Sequence, residues 1–566
     1  MKLGLPDLGL DDVDRWEAQA DRTGAGTTAA RARIIAMAML FIFGFMALSA
    51  RAVQVAIFRP VDDAATAARA EAPLAIERAD IVDRNGELLA TTLPTWSVFA
   101  DPRKIWDARE TVHTLRTVFP DIDANAMEAK LESRSRFVWI KRRLTPAQRQ
   151  AVWALGQPGL DFIEEPRRIY PQGPLAAHLL GWTGLDGKGA SGIEQSLNNR
   201  LIAKGGVEPV RLSIDRRVQY VVERELETLA RAQNVKGAVG IMMDVRTGEV
   251  LAQSSWPTYD ANAAGRATDN EKFNRASLSR FEMGSTFKVF TVAVGLDDGV
   301  ITPSKGYDAT RALHIGGSTI RDFHAQNRFL SIQEILSHSS NIGSAKIALD
   351  VGAERLKEFY ERTGLLEKAP IELNDSASPL LPKTWSDITV ATASYGHGIA
   401  VSPVALLTAF AAVTNGGEYV TPTLLARTTN EPIERRRAMK PETSAQMVKF
   451  LRDVVTEGTG RKAEAEGYEV GGKTGTAEKS GPQGYDSNRR VSSFVGVFPS
   501  SEPRYAVLVL LDEPQGNAET HGLATAGWTA APAVSRIVAR TAPLLGLEPI
   551  RALALADAPQ KAAGTP

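Results

Sequence analysis

The stretch GAVGIMMDVRTGEVLAQSS, residues 237–255, consists of two apolar runs on either side of a turn at Val245–Gly248. This arrangement predicts a β-hairpin, because short apolar runs flank a turn that contains glycine. Further along the chain, VSSFVGVFP (491–499) and RYAVLVLLDEP (504–514) are two more strand-like runs with a short turn between them. Helical segments are expected over most of residues 285–460. Strands at both ends with helices between them predict an α+β fold, in which helices cover one antiparallel sheet.

Another hairpin is predicted upstream, in ADIVDRNGELLATT (79–92), where two apolar runs flank Asn85-Gly86. Both residue types tolerate the positive φ that tight hairpin turns require. Residues 100–200 combine helical stretches with glycine-rich loops. Because the chain has 566 residues, it is too long for one compact core, and two or more domains are expected.

The composition excludes several classes of function. Lysine and arginine number 66 and aspartate and glutamate 66, so no nucleic-acid partner is predicted. The absence of cysteine excludes disulfides, thiolate metal sites and cysteine nucleophiles. The seven histidines include no pair at i, i+4 spacing, and we predict neither a metal site nor a cofactor.

One apolar segment determines the predicted location of the protein in the cell. IIAMAMLFIFGFMALSA (34–50) is 17 residues without a charge, near the lower limit for crossing a bilayer. Ala50-Arg51-Ala52 also has the small-x-small form of a signal-peptide cleavage site. The run is longer than a usual signal core and some 33 residues precede it, which favours an uncleaved anchor. We therefore expect a membrane-anchored protein. Charges on both sides of the segment determine its orientation poorly, and we expect a cytoplasmic N-terminus chiefly because of the catalytic chemistry of the motifs described below.

Three short motifs occur in a defined order. FEMGSTFKVF (281–290) contains the one Ser-x-x-Lys of the chain, formed by Ser285 and Lys288. Ser339-Ser340-Asn341 follows, and then Lys473-Thr474-Gly475 on a predicted strand. Each motif alone is a weak signal, whereas the ordered set is typical of serine enzymes that react with penicillin.

The chemistry of these enzymes requires such residue types. The apolar run after Ser285 predicts a buried helix, on which positions i and i+3 share a face, so Lys288 can approach the Ser285 hydroxyl. Burial and the positive end of a helix both disfavour the ammonium form and would make Lys288 a base for the serine nucleophile. Ser339 could relay a proton to the leaving amine, and Asn341 could hold a substrate amide.

The third motif is predicted to bind substrate. Lys473 supplies positive charge, Thr474 lies beside the substrate, and the small Gly475 lets the substrate backbone lie along the strand. The backbone N–H groups of Ser285 and Thr476 are the candidate oxyanion hole. Ordinary alternatives exist for each motif: a helix N-cap for Ser285, a turn for Ser340-Asn341, and a solvated edge-strand charge for Lys473.

Other motifs compete with this interpretation. GYEVGGKT (467–474) matches the phosphate-binding loop of nucleotide hydrolases, and Asp512 follows an apolar strand as a magnesium ligand would. No buried strand precedes this match, however, and glycine and proline after it prevent the helix that phosphate binding requires. GKGASG (187–192) matches a dinucleotide fingerprint, and Lys479-Ser480-Gly481 could replace the Lys-Thr-Gly triplet but lies in a loop-like stretch. Ser196-Leu197-Asn198 is a stray Ser-x-Asn.

With these motifs, the chain resembles the class B penicillin-binding proteins, which are peptidoglycan D,D-transpeptidases, over nearly everything after residue 34. Met283 stands where the family typically has proline, and Ala79 where it has glycine, and neither position carries a catalytic side chain. No glycosyltransferase domain fits between residues 59 and 200, which favours class B over class A. The recurring blocks that carry the resemblance are IVDRNGELLA (81–90), RRIYPQGPLAAHLLGWTGLDGKGASGIEQSL (167–197), LSIDRRVQ (212–219), MMDVRTGEVLA (242–252) and HSSNIGSAKIAL (338–349).

The resemblance implies a penicillin-binding transpeptidase fold with an elongated N-terminal pedestal domain and one transmembrane helix. The predicted organisation is a cytoplasmic tail (1–30), a transmembrane anchor (31–58), the pedestal (59–205), the transpeptidase domain (206–546) and a disordered tail (547–566).

The resemblance also implies the reaction. A peptide stem ending in D-Ala-D-Ala would acylate Ser285, D-Ala would leave, and an amine of a neighbouring stem would take the acyl group. Penicillins would acylate the same serine. The TLPTWSVFADP block (92–102) and the overall length look most like the division-specific branch, which acts in septal wall synthesis. The alternatives are an elongation-type transpeptidase, then a serine β-lactamase or β-lactam sensor, and least of all a phosphate-loop nucleotide hydrolase.

The partners implied by the family are peptidoglycan stems, lipid-linked precursor, a membrane-embedded glycan polymerase, divisome proteins and β-lactam antibiotics. The implied location is the inner membrane, crossed once, with the catalytic domain in the periplasm at the division site.

Overall fold

The computed structural model describes residues 27–57, 78–203, 208–428, 431–481 and 484–550. The predicted N-terminal tail up to residue 26 and the predicted C-terminal tail from residue 551 therefore lie outside the described residues.

The α-helices are numbered in chain order: α1 (Thr27–Ile57), α2 (Ala108–Val118), α3 (Ala124–Leu131), α4 (Pro146–Ala154), α5 (Ala177–Leu180), α6 (Gly192–Ser196), α7 (Asn198–Ile202), α8 (Arg216–Ala232), α9 (Asp269–Lys272), α10 (Lys288–Asp297), α11 (Ile332–Ser337), α12 (Asn341–Val351), α13 (Ala353–Arg362), α14 (Asp387–Ala393), α15 (Pro403–Thr414), α16 (Pro441–Thr456) and α17 (Ala530–Thr541).

The strands are β1 (Ile81–Val82), β2 (Leu88–Ala100), β3 (Val138–Leu144), β4 (Leu160–Ile169), β5 (Val210–Arg211), β6 (Gly237–Asp244), β7 (Val250–Trp256), β8 (Phe281–Glu282), β9 (Gly306–Asp308), β10 (Leu313–Ile315), β11 (Ser318–Ile320), β12 (Phe329–Ser331), β13 (Ala400–Val401), β14 (Glu418–Val420), β15 (Arg435–Arg437), β16 (Gly471–Gly481), β17 (Gly484–Phe498) and β18 (Tyr505–Asp512).

The chain divides into two compact units. The smaller comprises residues Met1–Ala72 and Trp96–Glu164, and the larger comprises Pro73–Thr95 and Glu165–Pro566. Strands β2 and β4 each contribute residues to both units. Each unit has its own buried apolar core, as expected for a chain of this length.

Helix α1 belongs to the smaller unit and carries the apolar segment found in the sequence. Its stretch Ala32–Gln54 has 23 residues with a mean hydropathy of 2.0. At 1.5 Å per residue such a stretch extends about 35 Å, enough to cross the hydrocarbon core of a bilayer. Within the described part of the chain, this is the one helix long and apolar enough to do so. The helix begins four residues before the predicted anchor at residue 31.

The remainder of the smaller unit is a small α/β core. The end of β2 pairs antiparallel with β3, which places Phe99 opposite Trp139. Helices α2, α3 and α4 begin where an Asp or Thr side chain accepts a backbone N–H, as N-cap residues do. The apolar core contains Val98, Ala100, Val112, Leu115, Phe119, Ile122, Met127, Leu131, Ile140, Leu144 and Val152. The sequence predicted helices and loops for residues 100–200 but missed strands β3 and β4.

The larger unit is organised around a five-stranded sheet in the order β16-β17-β18-β6-β7, with every neighbouring pair antiparallel. The predicted hairpins β6–β7 and β17–β18 are both present. Alternate residues of β6 face opposite sides of the sheet, with Val239 and Ile241 in one apolar cluster and Ala238 and Met242 in another. Helices α15 and α16 cover the first side, and α8 and α17 the second. The predicted α+β fold, with one antiparallel sheet covered by helices, is confirmed.

The upstream hairpin at Asn85-Gly86 is also confirmed. Strand β1 pairs antiparallel with the start of β2, with Ile81 opposite Ala90, and β1 pairs in parallel with β5. Gly86 has φ +90°, a conformation that side chains disfavour. The Asp83 carboxylate accepts hydrogen bonds from the backbone N–H groups of Asn85 and Glu87 and thereby fixes the turn.

The prediction that helices fill most of residues 285–460 was wrong. Helices α10 to α16 take up fewer than half of these residues, and short strand pairs such as β9–β12, β10–β11 and β14–β15 lie between them. Strands of three residues are too short for an alternating pattern to distinguish them from a helix.

Candidate active site

Ser285 lies in a 3-10 turn, Gly284–Phe287, that leads directly into α10. The turn follows β8, which pairs with β13 and so fixes the direction of the chain before the serine. Apart from Leu296, which is partly buried, the residues of α10 are buried, so the helix that begins at Lys288 is part of the core. The structure thus places Ser285, itself only partly buried, at the start of a buried helix, as the sequence predicted.

Lys288 is fully buried, and its Nζ lies 3.0 Å from Ser285 Oγ. The same Nζ donates to the backbone oxygen of Ser339 at 2.5 Å and lies 3.1 Å from Ser339 Oγ. Burial holds the pKa of Lys288 well below its ordinary value. The charge of Lys473 lowers it further and that of Asp322 opposes the shift. A lowered pKa favours the neutral amine, and a neutral lysine amine can accept the proton of the Ser285 hydroxyl.

Ser339 occupies the loop between α11 and α12 and adopts φ +60°, which is uncommon for a residue with a side chain. The next residue, Ser340, is the N-cap of α12, because its Oγ accepts the N–H of Gly343 at 3.0 Å. Asn341 begins the helix, and its side-chain amide donates to the backbone oxygen of Arg321 at 2.9 Å. The turn therefore presents the Ser339 hydroxyl to Lys288.

Lys473 lies on the edge strand β16, opposite Val495 of β17, and is fully buried. Its Nζ donates to Ser339 Oγ at 3.1 Å and to the backbone oxygen of Thr474 at 3.0 Å. Burial lowers the pKa of Lys473 to about 7. A buried Lys473 can act on a substrate only through its electric field and through the groups it contacts, Ser339 and Thr474.

These contacts join all three motifs in one hydrogen-bonded path. It runs from Ser285 Oγ to Lys288 Nζ, on to Ser339 Oγ and then to Lys473 Nζ, with steps of 3.0, 3.1 and 3.1 Å. Protons can move along such a path because each neighbouring pair is within hydrogen-bond distance.

A cleft of about 500 Å³ opens above Ser285. Of the predicted site residues, Ser285, Ser339, Asn341, Thr474 and Thr476 line it, whereas the two lysines lie behind its surface. The remaining walls come from residues 321–324, His338, Tyr395, His397, Thr459, Glu478, Arg490 and residues 525–528. A cleft of this size is within the range of small-molecule sites.

Gly475 has a structural reason for lacking a side chain. A Cβ there would lie 2.6 Å from the backbone oxygen of Met283 and 2.8 Å from Thr286 Cγ2. Only glycine lets β16 approach the turn that carries Ser285 this closely. The sequence suggested another reason for glycine at this position, namely room for the substrate backbone beside the strand. That role of Gly475 stays a prediction. Thr476 Oγ1 accepts the N–H of Ala526, so β16 is also tied to the 525–528 wall.

Several residues of the site were missed by sequence reasoning. The Asp322 carboxylate accepts hydrogen bonds from the Ser340 hydroxyl at 2.7 Å and from the backbone N–H of Ile342 at 2.9 Å. These two bonds fix the Ser-Ser-Asn turn. Tyr395 and His397 come from the loop after α14, and Trp528 from the segment before α17. These residues come from distant parts of the chain and belong to none of the motifs that the sequence analysis tested.

The structure does not fit the phosphate-loop and Lys-Ser-Gly interpretations. Lys473 and Thr474 lie in strand β16 and not between a strand and a helix, which excludes the phosphate-loop geometry. Lys479-Ser480-Gly481 is the end of β16 and not a loop as predicted, and Lys479 pairs with Asp512 at 2.8 Å. Asp512, the candidate magnesium ligand, is thus part of an ion pair. Among the described residues, no group of three or more His, Cys, Asp or Glu side chains could hold a metal ion.

Fold and site together define a class of protein. A helix that starts with Ser-x-x-Lys lies against an edge strand bearing Lys-Thr-Gly, and Ser-Ser-Asn completes the cleft. This is the arrangement of the serine acyl-transfer enzymes that react with penicillin.

Comparison with known proteins gives the family. The family model described as penicillin binding protein transpeptidase domain matches residues 238–538, and that of the penicillin-binding protein dimerisation domain matches residues 73–236. The chain belongs to the penicillin-binding protein transpeptidase family and, with its dimerisation domain, to class B.

Two relatives illustrate the likeness. A protein of Caulobacter vibrioides named probable peptidoglycan D,D-transpeptidase FtsI is 45% identical over 498 residues, covering 86% of this chain and 84% of the relative. Peptidoglycan D,D-transpeptidase FtsI of Escherichia coli K12 is 30% identical over 505 residues, covering 83% and 84%. Among solved structures, penicillin binding protein 3 of Mycobacterium tuberculosis, complexed with aztreonam, superimposes with a TM-score of 0.66. The superposition covers 84% of this chain and 98% of the other chain, with 23% sequence identity. This likeness supports the fold.

Proposed function

We propose that this protein is the peptidoglycan D,D-transpeptidase of cell division and that Ser285 is its nucleophile. The relatives at 45% and 30% identity carry the D,D-transpeptidase activity in their names. The observation that carries the proposal is the hydrogen-bonded path from Ser285 through Lys288 and Ser339 to Lys473.

In the acylation step, Ser285 Oγ attacks the carbonyl carbon of the peptide bond between the two D-Ala residues of a stem. Lys288 in its neutral form takes the hydroxyl proton as Oγ attacks. This activates the serine, because a protonated hydroxyl is a weak nucleophile. The carbonyl oxygen becomes an oxyanion. We assign its stabilisation to hydrogen bonds from the backbone N–H groups of Ser285 and Thr476.

In the second half of acylation, the C–N bond breaks and the leaving nitrogen takes up a proton. Ser339 is the donor in this scheme, because its hydroxyl lies beside Lys288, which holds the proton taken from Ser285 and can pass it on to Ser339. D-Ala leaves with this proton, and the stem remains attached to Ser285 as an ester.

In deacylation, the amine of a neighbouring stem attacks the ester, its proton returns along the same path, and the new amide links the two stems. Ser285 regains its hydroxyl proton. Asn341 holds a stem amide, and Thr474, Gly475 and Thr476 present β16 to the stem backbone. In its protonated form, Lys473 supplies a positive field from behind the cleft.

The membrane helix fits this function. Tethering an enzyme to the membrane raises the effective concentration of a lipid-linked substrate. We assign residues 31–58 to an uncleaved anchor, with residues 1–30 in the cytoplasm. The pedestal (59–205) and the transpeptidase domain (206–546) then lie in the periplasm at the division site. The partners in this assignment are a membrane-embedded glycan polymerase and other divisome proteins.

The test is covalent labelling. After treatment with penicillin, intact-mass analysis should show one adduct per chain, which peptide mapping places at Ser285. Ser285→Ala should show none, and an unchanged adduct in that variant would overturn the assignment. A chromogenic cephalosporin should not be turned over, because turnover would indicate a β-lactamase. Fluorescent penicillin should label the septum, and labelling along the sidewall would indicate the elongation branch.

A further inference from the structure

Three segments of the larger unit meet beside the nucleophile. Strand β8 ends at Glu282, three residues before Ser285. The loop of residues 395–398 lies directly against Gly284, since a Cβ on Gly396 would lie 2.4 Å from the Gly284 backbone oxygen. The third segment is the start of β17, which carries Tyr485 opposite Ser480 of β16.

One carboxylate oxygen joins these segments. Glu282 Oε1 accepts the backbone N–H of Gly398 at 3.0 Å and the hydroxyl of Tyr485 at 3.1 Å. The second oxygen, Oε2, is buried and has no hydrogen-bond partner within the described part of the chain. Burial raises the pKa of the Glu282 carboxyl, and the hydrogen bonds from Gly398 and Tyr485 oppose the shift. A partly desolvated carboxylate depends strongly on the few donors it has.

An aromatic stack ties the same tyrosine to the wall of the cleft. The rings of His397 and Tyr485 are stacked, with centroids 4.9 Å apart and an angle of 27° between their planes. The Tyr395 ring also packs against His397, with the two ring centroids 5.2 Å apart. Tyr395 and His397 line the cleft together with Ser285, whereas Tyr485 and Glu282 stand outside it.

We propose that Glu282, Tyr485 and His397 form a latch that positions the cleft wall for acylation. The Tyr485 hydroxyl holds β17 to Glu282, and the Tyr485 ring holds His397 at the surface that a substrate touches. Tyr485 and Glu282 are positioning residues, because neither lines the cleft and both act through His397 and Gly398. The latch rests on the proposed function, since it deepens the account of the same site.

The physical consequence concerns binding more than chemistry. When the hydrogen bond between Tyr485 and Glu282 breaks, His397 and the cleft wall that it belongs to are free to move. Only the fraction of molecules in which the latch is formed then binds a ligand well. The apparent dissociation constant then rises in inverse proportion to that fraction. The path from Ser285 to Lys473 contains no latch residue, so the acylation step itself keeps its rate once the ligand is bound.

The experiment measures acylation of the full-length protein by penicillin as a function of penicillin concentration. This separates the dissociation constant of the non-covalent complex from the first-order acylation rate constant. Tyr485→Phe keeps the ring stack and removes the hydroxyl. We expect its dissociation constant to rise about threefold to tenfold, the range for loss of one hydrogen bond, with the acylation rate constant within about twofold of wild type. The matched control is Tyr220→Phe, because Tyr220 is 53% exposed and Tyr485 is 47% exposed.

Two substitutions at Glu282 give a rescue test. Glu282→Gln keeps an acceptor oxygen for Tyr485 and Gly398 and should bind penicillin within about twofold of wild type. Glu282→Ala removes the acceptor and should weaken binding at least as much as Tyr485→Phe. Hydrogen exchange of the peptide that contains Gly398 should accelerate in Glu282→Ala and not in Glu282→Gln, a readout that requires no acylation.

The outcomes separate the two proposals. If wild type is acylated at Ser285 and Tyr485→Phe matches both wild type and Tyr220→Phe, the latch is refuted and the proposed function stands. A Tyr485→Phe protein that loses only the acylation rate constant also refutes the latch, because Tyr485 would then act on the chemistry. Absence of acylation in wild type would overturn the function and the latch together.

Discussion

Two groups of buried basic side chains in the larger unit have opposite surroundings. In the first, Arg78 Nε donates to Glu194 Oε2 at 2.5 Å and Arg168 Nε donates to Glu194 Oε1 at 2.7 Å. Glu194 is completely buried, and the two arginine side chains are almost completely so. Asn198 and the backbone oxygen of Glu194 accept further N–H groups of Arg78. Here each cation has an anionic partner.

The second group consists of Lys288 and Lys473, and among the described residues no carboxylate is in contact with either amine. The contacts of both Nζ atoms are hydroxyl and backbone oxygens of Ser285, Ser339 and Thr474. Burial therefore lowers the pKa of both lysines. Arginine could not respond in this way, because it stays protonated in proteins.

The comparison shows how one fold uses buried charge for two purposes. Arginine paired with a buried glutamate keeps its charge and joins distant segments of the chain. A buried lysine without an anionic partner holds its proton less tightly, and Lys288, beside Ser285, can therefore act as a base. Four substitutions test this difference between the arginines and the lysines, from the largest expected effect to the smallest.

Removal of the base should have the largest effect. Lys288→Ala should slow acylation of Ser285 by penicillin about 10² to 10⁴-fold, the usual contribution of a general base. The measurement is the acylation rate constant, with circular dichroism as the test of folding. Lys357→Ala, at an exposed lysine of α13, should acylate at the wild-type rate. A Lys288→Ala protein that folds and acylates at the wild-type rate would show that Lys288 is not the base.

Removal of the anion from the paired group should affect stability and not catalysis. Glu194→Gln leaves Arg78 and Arg168 buried without a counter-charge, which typically costs about 3 to 5 kcal/mol. Urea denaturation should show this loss, while the folded protein acylates normally. Glu227→Gln is the control, because Glu227 pairs with Arg224 and Arg231 at the surface, where an ion pair is worth about 1 kcal/mol or less. Equal losses in the two variants would contradict the role of Glu194.

Much of the fold around these groups could be predicted from the sequence, because the signals are local. Runs of apolar residues around Gly86 and Gly248 gave both hairpins, and the apolar run after Ser285 gave the buried helix α10. The order of the three motifs along the chain predicted that their residues would come together, and the structure brings them together around one cleft.

Other features could not be predicted, because they depend on contacts between distant segments. Nothing near Lys473 indicates that its strand is covered on both sides and its ammonium buried. Lys479 looked like part of a loop, yet β16 continues to Gly481 because β17 pairs with it. Asp322, from another segment, fixes the Ser-Ser-Asn turn through two hydrogen bonds that no local pattern reveals.

The third prediction concerns pH and stability. Burial lowers the pKa of Lys473 from 10.5 to about 7. Between about pH 7 and 10.5, the unfolded chain therefore binds a proton at Lys473 that the folded protein lacks, and protonation favours unfolding. The free energy of unfolding rises with pH through this window, by up to about 1.4 kcal/mol per pH unit.

Lys473→Met has no titratable group at this position and keeps a similar volume. Its gain in unfolding free energy from pH 7 to pH 9 should be smaller than that of wild type by about 2 kcal/mol. Urea denaturation at the two pH values measures the difference, and Lys357→Met should behave as wild type. If Lys473→Met and wild type gain the same amount, Lys473 is protonated in the folded protein, and the contrast with the arginines fails for this lysine.

The smallest expected effect comes from the one carboxylate whose charge opposes the shift at Lys288. Asp322 raises the pKa of Lys288, against burial and the charge of Lys473. Asp322→Asn removes this charge and keeps an oxygen for the N–H of Ile342. The pKa of Lys288 should then fall further, so the neutral base persists to lower pH. The acid limb of the acylation rate against pH should move to lower pH, by about one unit or less.

The pH profile is the right measurement because it separates charge from structure. If Asp322 only fixed the Ser-Ser-Asn turn, its loss would lower the rate at every pH and leave the acid limb in place. Asp350→Asn is the control, since Asp350 lies at the far end of α12 and pairs with Lys305 at 3.1 Å. An acid limb that stays in place or moves to higher pH in Asp322→Asn would mean that this carboxylate does not offset burial at Lys288. The active-site lysines would then differ from the buried arginines even more sharply, with no anion acting on either Nζ.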